Sequence, residues 1–195
     1  MAKQYCGDSV IAGASFTIAP MSDDFIEIIT GSLEKTDTSC VWKDTDDVTT
    51  TVRGKAVHVF DVTKAILIHA AKTGKHIAFQ ATYSLGCPGD SKGDAYMAKD
   101  DKARNETTQD DNSQYAAAKF SLYPLGGGEY MDVIYDQIEA MKEYVTVTPA
   151  HYSTRLQGGI VDIFDGLENV FLKTVEGGSS HTVMTVVISV NSPSH

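Results

Sequence analysis

The chain is short of cysteine, of basic residues and of long apolar runs, and each shortage removes a class of function. Cysteine occurs at Cys6, Cys40 and Cys87 only, with no CxxC pair and no histidine at zinc-site spacing, so neither a disulfide framework nor a structural zinc site organises it. Lys and Arg number 16 against 26 Asp and Glu, a net charge of −10. There is no basic stripe to track a nucleic-acid backbone, and the overall field favours cationic ligands. No apolar run reaches the roughly 20 residues of a spanning helix, and the opening MAKQYCGDS lacks the apolar stretch of a secretory signal. The expected location is the cytoplasm, without membrane or nucleic acid as partner. Also missing are a Walker loop, a GxSxG elbow, an HExxH pair and a dinucleotide-binding glycine fingerprint, which weakens the case for an enzyme. His58 and His69 stand about three helical turns apart, too far to share one ion, and no metal or cofactor is expected.

What is present is a chain written twice. Phe16-Thr17-Ile18-Ala19-Pro20 returns as Phe120-Ser121-Leu122-Tyr123-Pro124, and the segment from Thr50 to Gly54 as Thr154 to Gly158. His58-Val59-Phe60-Asp61 returns as Asp162-Ile163-Phe164-Asp165, and HIAFQATYSLGCP (76–88) as HTVMTVVISVNSP (181–193). The order is kept and the period, about 104 to 105 residues, is far longer than that of a solenoid repeat. Matching His76 and His181 at the starts of equivalent strands point to a structural role inherited by both copies.

Each copy reads as strand, amphipathic helix, two short strands, helix, strand. The first strand covers 11–18 and 116–123. Phe25, Ile28, Ile29, Ser32 and Leu33 form a helical stripe repeated by Tyr130, Val133, Ile134, Gln137, Ile138 and Met141. Ser22 is the expected N-cap of the first helix, with Asp23 and Asp24 in its first turn; Gly126-Gly127-Gly128 replaces it in the second copy. The middle strands are expected at 39–43 and 48–53, then 144–148 and 152–157, and the second helices at 57–73 and 161–175. The order βαββαβ predicts an α+β fold, a tandem duplication of a ferredoxin-like (ACT-like) domain with antiparallel sheets and helices on one face. The expected division is residues 1–90, a polar linker at 91–114 read as a solvated connection, and 115–195. Either the two sheets cover each other or each pairs with a second chain, and the pattern leaves that open. Asp61 and Asp165 are read as helix-surface or first-turn charges.

The stretch GCPGD (86–90) suggests a reactive thiol until the repeat is drawn. SLGCP then aligns with SVNSP, placing Cys87 opposite Ser192 and Pro88 opposite Pro193. The stretch marks the end of a strand, and nothing nearby in sequence activates the thiol.

Several motifs in order carry a resemblance: IAG (11–13), PMSDDFI (20–26), TDTSCVW (36–42), RG (53–54), HVFDVTKAI (58–66) and SLGCPGDSKGD (84–94), with YMD (130–132) and SVNSPS farther on. The chain resembles the YkoF-like thiamin/hydroxymethylpyrimidine-binding proteins. The resemblance implies two ferredoxin-like repeats, a homodimer, and non-catalytic binding of thiamin through its pyrimidine half, one ligand per repeat, in thiamin precursor salvage or transport.

An aminopyrimidine edge carries donors and acceptors in one plane, so its site needs hydroxyls, carboxylates or backbone groups in that plane and an apolar wall for the ring. Thr50 and Asp46 are candidates to read the edge, with Phe16, Met21 or Trp42 as walls. Tyr152 and Thr154 are their counterparts in the second copy, with Leu125 and Pro124 at the loop. Asp23 and Asp24 face Gly127, Gly128 and Glu129, and Arg53 faces Gln157, so two unequal sites are expected. Two other readings compete: a cofactor-free enzyme on this widely used scaffold, or a regulatory oligomer that binds no thiamin.

Overall fold

The first half of the chain folds as β1 (Ala12–Pro20), α1 (Phe25–Lys35), β2 (Trp42–Thr45), β3 (Thr50–Gly54), α2 (Ala56–Ala71) and β4 (Ile77–Leu85). A one-turn α3 (Gln109–Asn112) precedes the second half, β5 (Tyr115–Leu125), α4 (Tyr130–Met141), β6 (Thr146–Ala150), β7 (Ser153–Gly159), α5 (Ile160–Glu176) and β8 (His181–Val190). The computed structural model describes residues 11–86, 98–125, 130–177 and 179–194. Cys87 to Asp90, Tyr96, Met97 and the Gly126–Gly128 loop lie outside them. The protein is an α+β molecule built of two ferredoxin-like repeats.

Local hydrogen bonding explains where the elements depart from expectation. β2 starts at Trp42 because the preceding residues form a turn, in which the Asp37 carboxylate accepts the Ser39 N–H at 2.8 Å and Thr38 O accepts the Val41 N–H. β6 starts late because the Tyr144 and Val145 N–H groups still bond to Met141 O at the end of α4. Ser22 is not the cap of α1. Asp24 holds that position without a side-chain cap bond, while Ser22 Oγ accepts the Asp24 N–H at 3.3 Å.

The strands form one eight-stranded sheet in the order β2-β3-β1-β4-β8-β5-β7-β6. The two four-stranded halves neither stack nor stay apart. They join edge to edge through nine antiparallel pairs of β4 and β8, from Ile77↔Val190 to Leu85↔Thr182. The joint satisfies two edges that would otherwise be exposed templates for pairing. At its ends His76 Nε2 meets Ser189 Oγ at 2.9 Å and His181 Nε2 meets Ser84 Oγ at 3.2 Å, a reciprocal pair. Gly86 closes β4 at φ 83°, where a Cβ would strike the Ser180 carbonyl; only glycine ends the strand this way.

Alternate residues of every central strand, such as Ala14, Phe16, Phe79, Tyr83, Phe120 and Met184, are buried under the helices. The core is continuous across the repeats. Phe60 stacks on Tyr83 with centroids 4.4 Å apart, and Phe171 from the other repeat meets Phe60 edge-on at 5.6 Å. The opposite face carries the intervening residues, among them Gly13, Thr82, Thr185 and Val187.

Between the repeats, residues 98–112 keep many exposed side chains but are tied to α2 and α5 at particular residues. α2 is buried nearly all round, so its polar residues need partners on its outer side. Asp61, 4% exposed and well inside the helix, accepts N–H bonds from Arg104, from Asn105 and from the Asn105 side chain. His58 Nε2 lies 3.0 Å from Asp100 O, and Arg104 Nε donates to Cys40 Sγ. Asn112 then bonds both the carboxylate and the N–H of Asp162 and packs closely on Gly159. Asp165 has a different role from Asp61: it pairs with Lys64 at 2.9 Å, tying α5 to α2.

Burial pushes the neighbouring Glu168 carboxyl up to about 7, against the Lys64 charge and with the help of Asp165 and Asp61. A raised carboxyl pKa means that stability present below the unfolded value is lost as pH climbs through about 7. Glu168→Gln is therefore expected to be more stable than the parent at pH 8 by about 1–3 kcal/mol, with the gap closing toward pH 4–5. Denaturant titrations across this range measure it.

Candidate functional site

Strand lengths create a pocket in each repeat. β1 pairs with β4 as far as Pro20 but with β3 only as far as Phe16. From Thr17 onward the β3 side of β1 therefore has no strand partner among the described residues. The pocket at this edge is lined by Phe16, Thr17 and Ile18 of β1, Ile29 and Leu33 of α1, and residues 45–50 of the β2–β3 turn, with a cavity volume of about 140 Å³. The turn is held by Asp46, whose Oδ1 accepts the N–H groups of Val48 at 2.7 Å and Thr49 at 2.8 Å. Those bonds from Thr49 and Val48 hold the Asp46 carboxyl below its usual range, so it is anionic at neutral pH. Behind it Thr50 Oγ1 lies 3.1 Å from Thr45 Oγ1, and Ser15 Oγ donates to Thr49 Oγ1 at 2.9 Å.

The second repeat builds the same place with other side chains. β5 pairs with β8 to Leu125 but with β7 only to Phe120, opposite Thr154. The pocket beyond is lined by Phe120 to Tyr123, by Met131, Ile134, Tyr135 and Ile138 of α4, and by Tyr152, Ser153 and Thr154, with a cavity volume of about 280 Å³. Phe120 and Thr154 stand where Phe16 and Thr50 stand, and Ile134 and Ile138 where Ile29 and Leu33 stand. Tyr152 at its rim is fully exposed and has φ 65°, a left-handed backbone that costs a tyrosine about 1 kcal/mol or more. Its carbonyl accepts Ser121 Oγ–H at 3.1 Å, which fixes the turn against the free end of β5.

Comparison with known proteins agrees with this duplicated design. The family model described as YKOF-related Family matches residues 11–90 and again 115–195. The chain belongs to the YkoF-related family. It is 45% identical over 193 residues, 98% of this chain and 96% of the other, to a Bacillus subtilis (strain 168) protein named "Putative HMP/thiamine-binding protein YkoF".

Within this YkoF-related chain, the structure brings Phe16, Asp46 and Thr50 together in the first pocket and Tyr152 and Thr154 in the second. It does not bring Trp42, Met21 or Leu125 to either. Trp42 pairs with Arg53, while the next pair is Lys43 with the buried Val52; side chains alternate, so Trp42 projects from the sheet face away from the helices. Met21 is largely exposed, its N–H bound to His76 O, and Leu125 is half exposed at the far end of β5. The residue pattern did signal some of what was missed: Phe120 is the repeat partner of Phe16, and Ile29, Leu33, Ile134 and Ile138 belong to the apolar stripes. The free edge of β1 carried no signal, because it depends on where pairing with β3 stops. Among the described residues no group of three His, Cys, Asp or Glu side chains is placed to hold a metal ion.

The left-handed backbone of Tyr152 is a stability cost carried by the tight β6–β7 turn. Tyr152→Gly is expected to raise the stability of the unliganded protein by about 0.5–1 kcal/mol, relief of the left-handed strain exceeding the chain entropy that glycine adds. Chemical denaturation of the two proteins side by side measures the difference.

Proposed function

We propose that the protein is a non-catalytic binder of thiamin and its hydroxymethylpyrimidine moiety, with one pyrimidine-sized pocket in each repeat and unequal affinities at the two. The observation that carries this is the unpaired strand edge at the floor of each pocket, present twice in the same register. Backbone N–H and C=O groups of such an edge lie in the plane of the sheet, and a flat aminopyrimidine offers complementary groups in one plane. Phe16 with Ile29 and Leu33, or Phe120 with Ile134 and Ile138, supply the apolar wall, and Thr50 or Thr154 adds a hydroxyl at the inner end. Cavities of about 140 and 280 Å³ fall below the roughly 300–1,000 Å³ of sites that enclose drug-sized molecules. Each suits one ring, with the rest of a longer ligand at the mouth. The name of the Bacillus subtilis relative supports the same ligand class. No helix among the described residues is long and apolar enough to cross a membrane, and a cytoplasmic part in thiamin precursor salvage or transport is the corresponding role.

The sheet face away from the helices is the surface through which we place a second copy. It spans both repeats, and at its centre Val187, half exposed, sits between Gln80 and Lys119. A sheet covered on one side only is stabilised by burying the other.

Calorimetry with thiamin and with hydroxymethylpyrimidine tests the ligand. Thr50→Val and Thr154→Val keep the side-chain shape but lose the hydroxyl, and each is expected to weaken one site by about tenfold while sparing the other, the cost of one hydrogen bond. Absence of heat with both compounds, or two variants that titrate like the parent, would overturn the reading. For the assembly, sedimentation is expected to show a dimer that Val187→Glu converts to a monomer; a monomeric parent protein would count against it.

A further inference from the structure

Resting on the thiamin reading above, we infer that the two pockets select their ligands by different physics: the first by charge, through Asp46 and Asp47, and the second by ring contact, through Tyr135 and Tyr152. The matched positions exchange one chemistry for the other. Asp46 and Asp47 line the mouth of the first pocket, and their counterparts by register are Ala150 and His151, neither of which lines the second. Conversely Tyr152 lines the second pocket where the first copy has Val48, and Tyr135 lines it from α4 at the place of Thr30 on α1. Among the described residues no Asp, Glu, Lys or Arg lines the second pocket. The difference is concentrated at the mouths. The inner walls, Phe16 and Thr50 against Phe120 and Thr154, are the same.

Two carboxylates at the rim of a small pocket act on whatever part of the ligand stays outside it. A pyrimidine carrying a cationic ring is attracted there, the free pyrimidine gains nothing, and a phosphorylated tail is repelled. Because both carboxylates are exposed, their field is screened by salt. Tyrosine faces act at contact distance, on a neutral ring and a cationic one alike, and salt changes that little. The first pocket thus prefers the intact cationic compound over its pyrimidine half and over its phosphate ester. The second accepts any of the three that presents the ring.

The test is calorimetric titration of the full chain with thiamin, thiamin monophosphate and hydroxymethylpyrimidine at about 20 mM and 500 mM salt, a span over which the screening length falls severalfold. For thiamin, one site is expected to lose about five- to tenfold in affinity at high salt and the other to stay within about twofold. In the double variant Asp46→Asn/Asp47→Asn the amide oxygen introduced at the first position can still accept the turn's N–H bonds. There the salt-sensitive site should become insensitive and the other stay as it was. Asp47→Asn alone, outside those bonds, should remove part of the sensitivity and guards against a misfolded turn. Hydroxymethylpyrimidine should bind both sites without salt dependence. Equal salt sensitivity at both sites, or an unchanged profile in the double variant, overturns the division while leaving thiamin binding in place. Absence of binding by all three compounds overturns the ligand reading and the division with it.

Discussion

The rest of the molecule depends on the pairing of β4 with β8. An isolated ferredoxin-like half ends its sheet at an open edge, and here each half closes that edge with the other. Nine pairs of residues fix the register, and a slip of one would turn every buried side chain of a strand to the wrong face. From that register follow the reciprocal His76–Ser189 and His181–Ser84 bonds, the packing of Phe60 and Tyr83 on Phe171, and the Lys64–Asp165 bridge between α2 and α5. The same joint puts the two pockets on opposite sides of the centre, each between the inner strand of its half and the hairpin at its outer edge. Among the described residues neither pocket borrows a lining residue from the other repeat.

Helix packing at the joint is less symmetric than the sheet. α2 is covered on its outer side by residues 98–105 and carries the buried Asp61 and His58 that this cover requires. α5 at the equivalent place keeps Asp162 for Asn112 of α3 and Asp165 for Lys64. The connecting segment therefore secures one helix from outside and the next at its first turn. Two aspartates at matching positions, Asp61 and Asp165, have acquired different partners because a single connector can lie over only one of the two copies.

The element order and the duplication were legible because they rest on periodicity, which local sequence carries in full: Phe16 repeats as Phe120 and the α1 stripe repeats as the α4 stripe. Strand starts at Trp42 and Thr146 were not, since they depend on turn hydrogen bonds to the Asp37 carboxylate and to Met141 O. Of the pocket linings, Thr50, Thr154, Tyr152, Phe16 and Asp46 were legible as matched or polar residues near a sheet end. Trp42 lines neither pocket. An aromatic beside carboxylates is attractive chemistry, but which face of a strand it occupies is set by pairing with β3, and a single residue of register decides that. The docked segment was hidden for a related reason: its polar composition describes a solvated linker and a capping network equally well, and only the buried Asp61 distinguishes them.

Duplication explains how the pockets keep one wall and change the other. Phe16, Thr50 and their counterparts sit where the strands are paired, so they answer to the core as well as to the pocket. The rims sit on the β2–β3 and β6–β7 turns and on the exposed flank of the first helix of each repeat, where substitutions away from packing cost little stability. The turns also reach the same task by different routes: the first is held by an Asp46 carboxylate, the second by a left-handed tyrosine anchored through Ser121. Because Asp46 both shapes its turn and charges the pocket mouth, charge and shape are coupled in the first repeat. In the second they are separate, since the turn is held through the Tyr152 backbone carbonyl and Ser121, and no Asp or Glu among the described residues lines the pocket. A change of ligand preference is therefore easier to reach in the second repeat than in the first, where removing the charge also removes a ligand of the turn's N–H groups unless an amide replaces it.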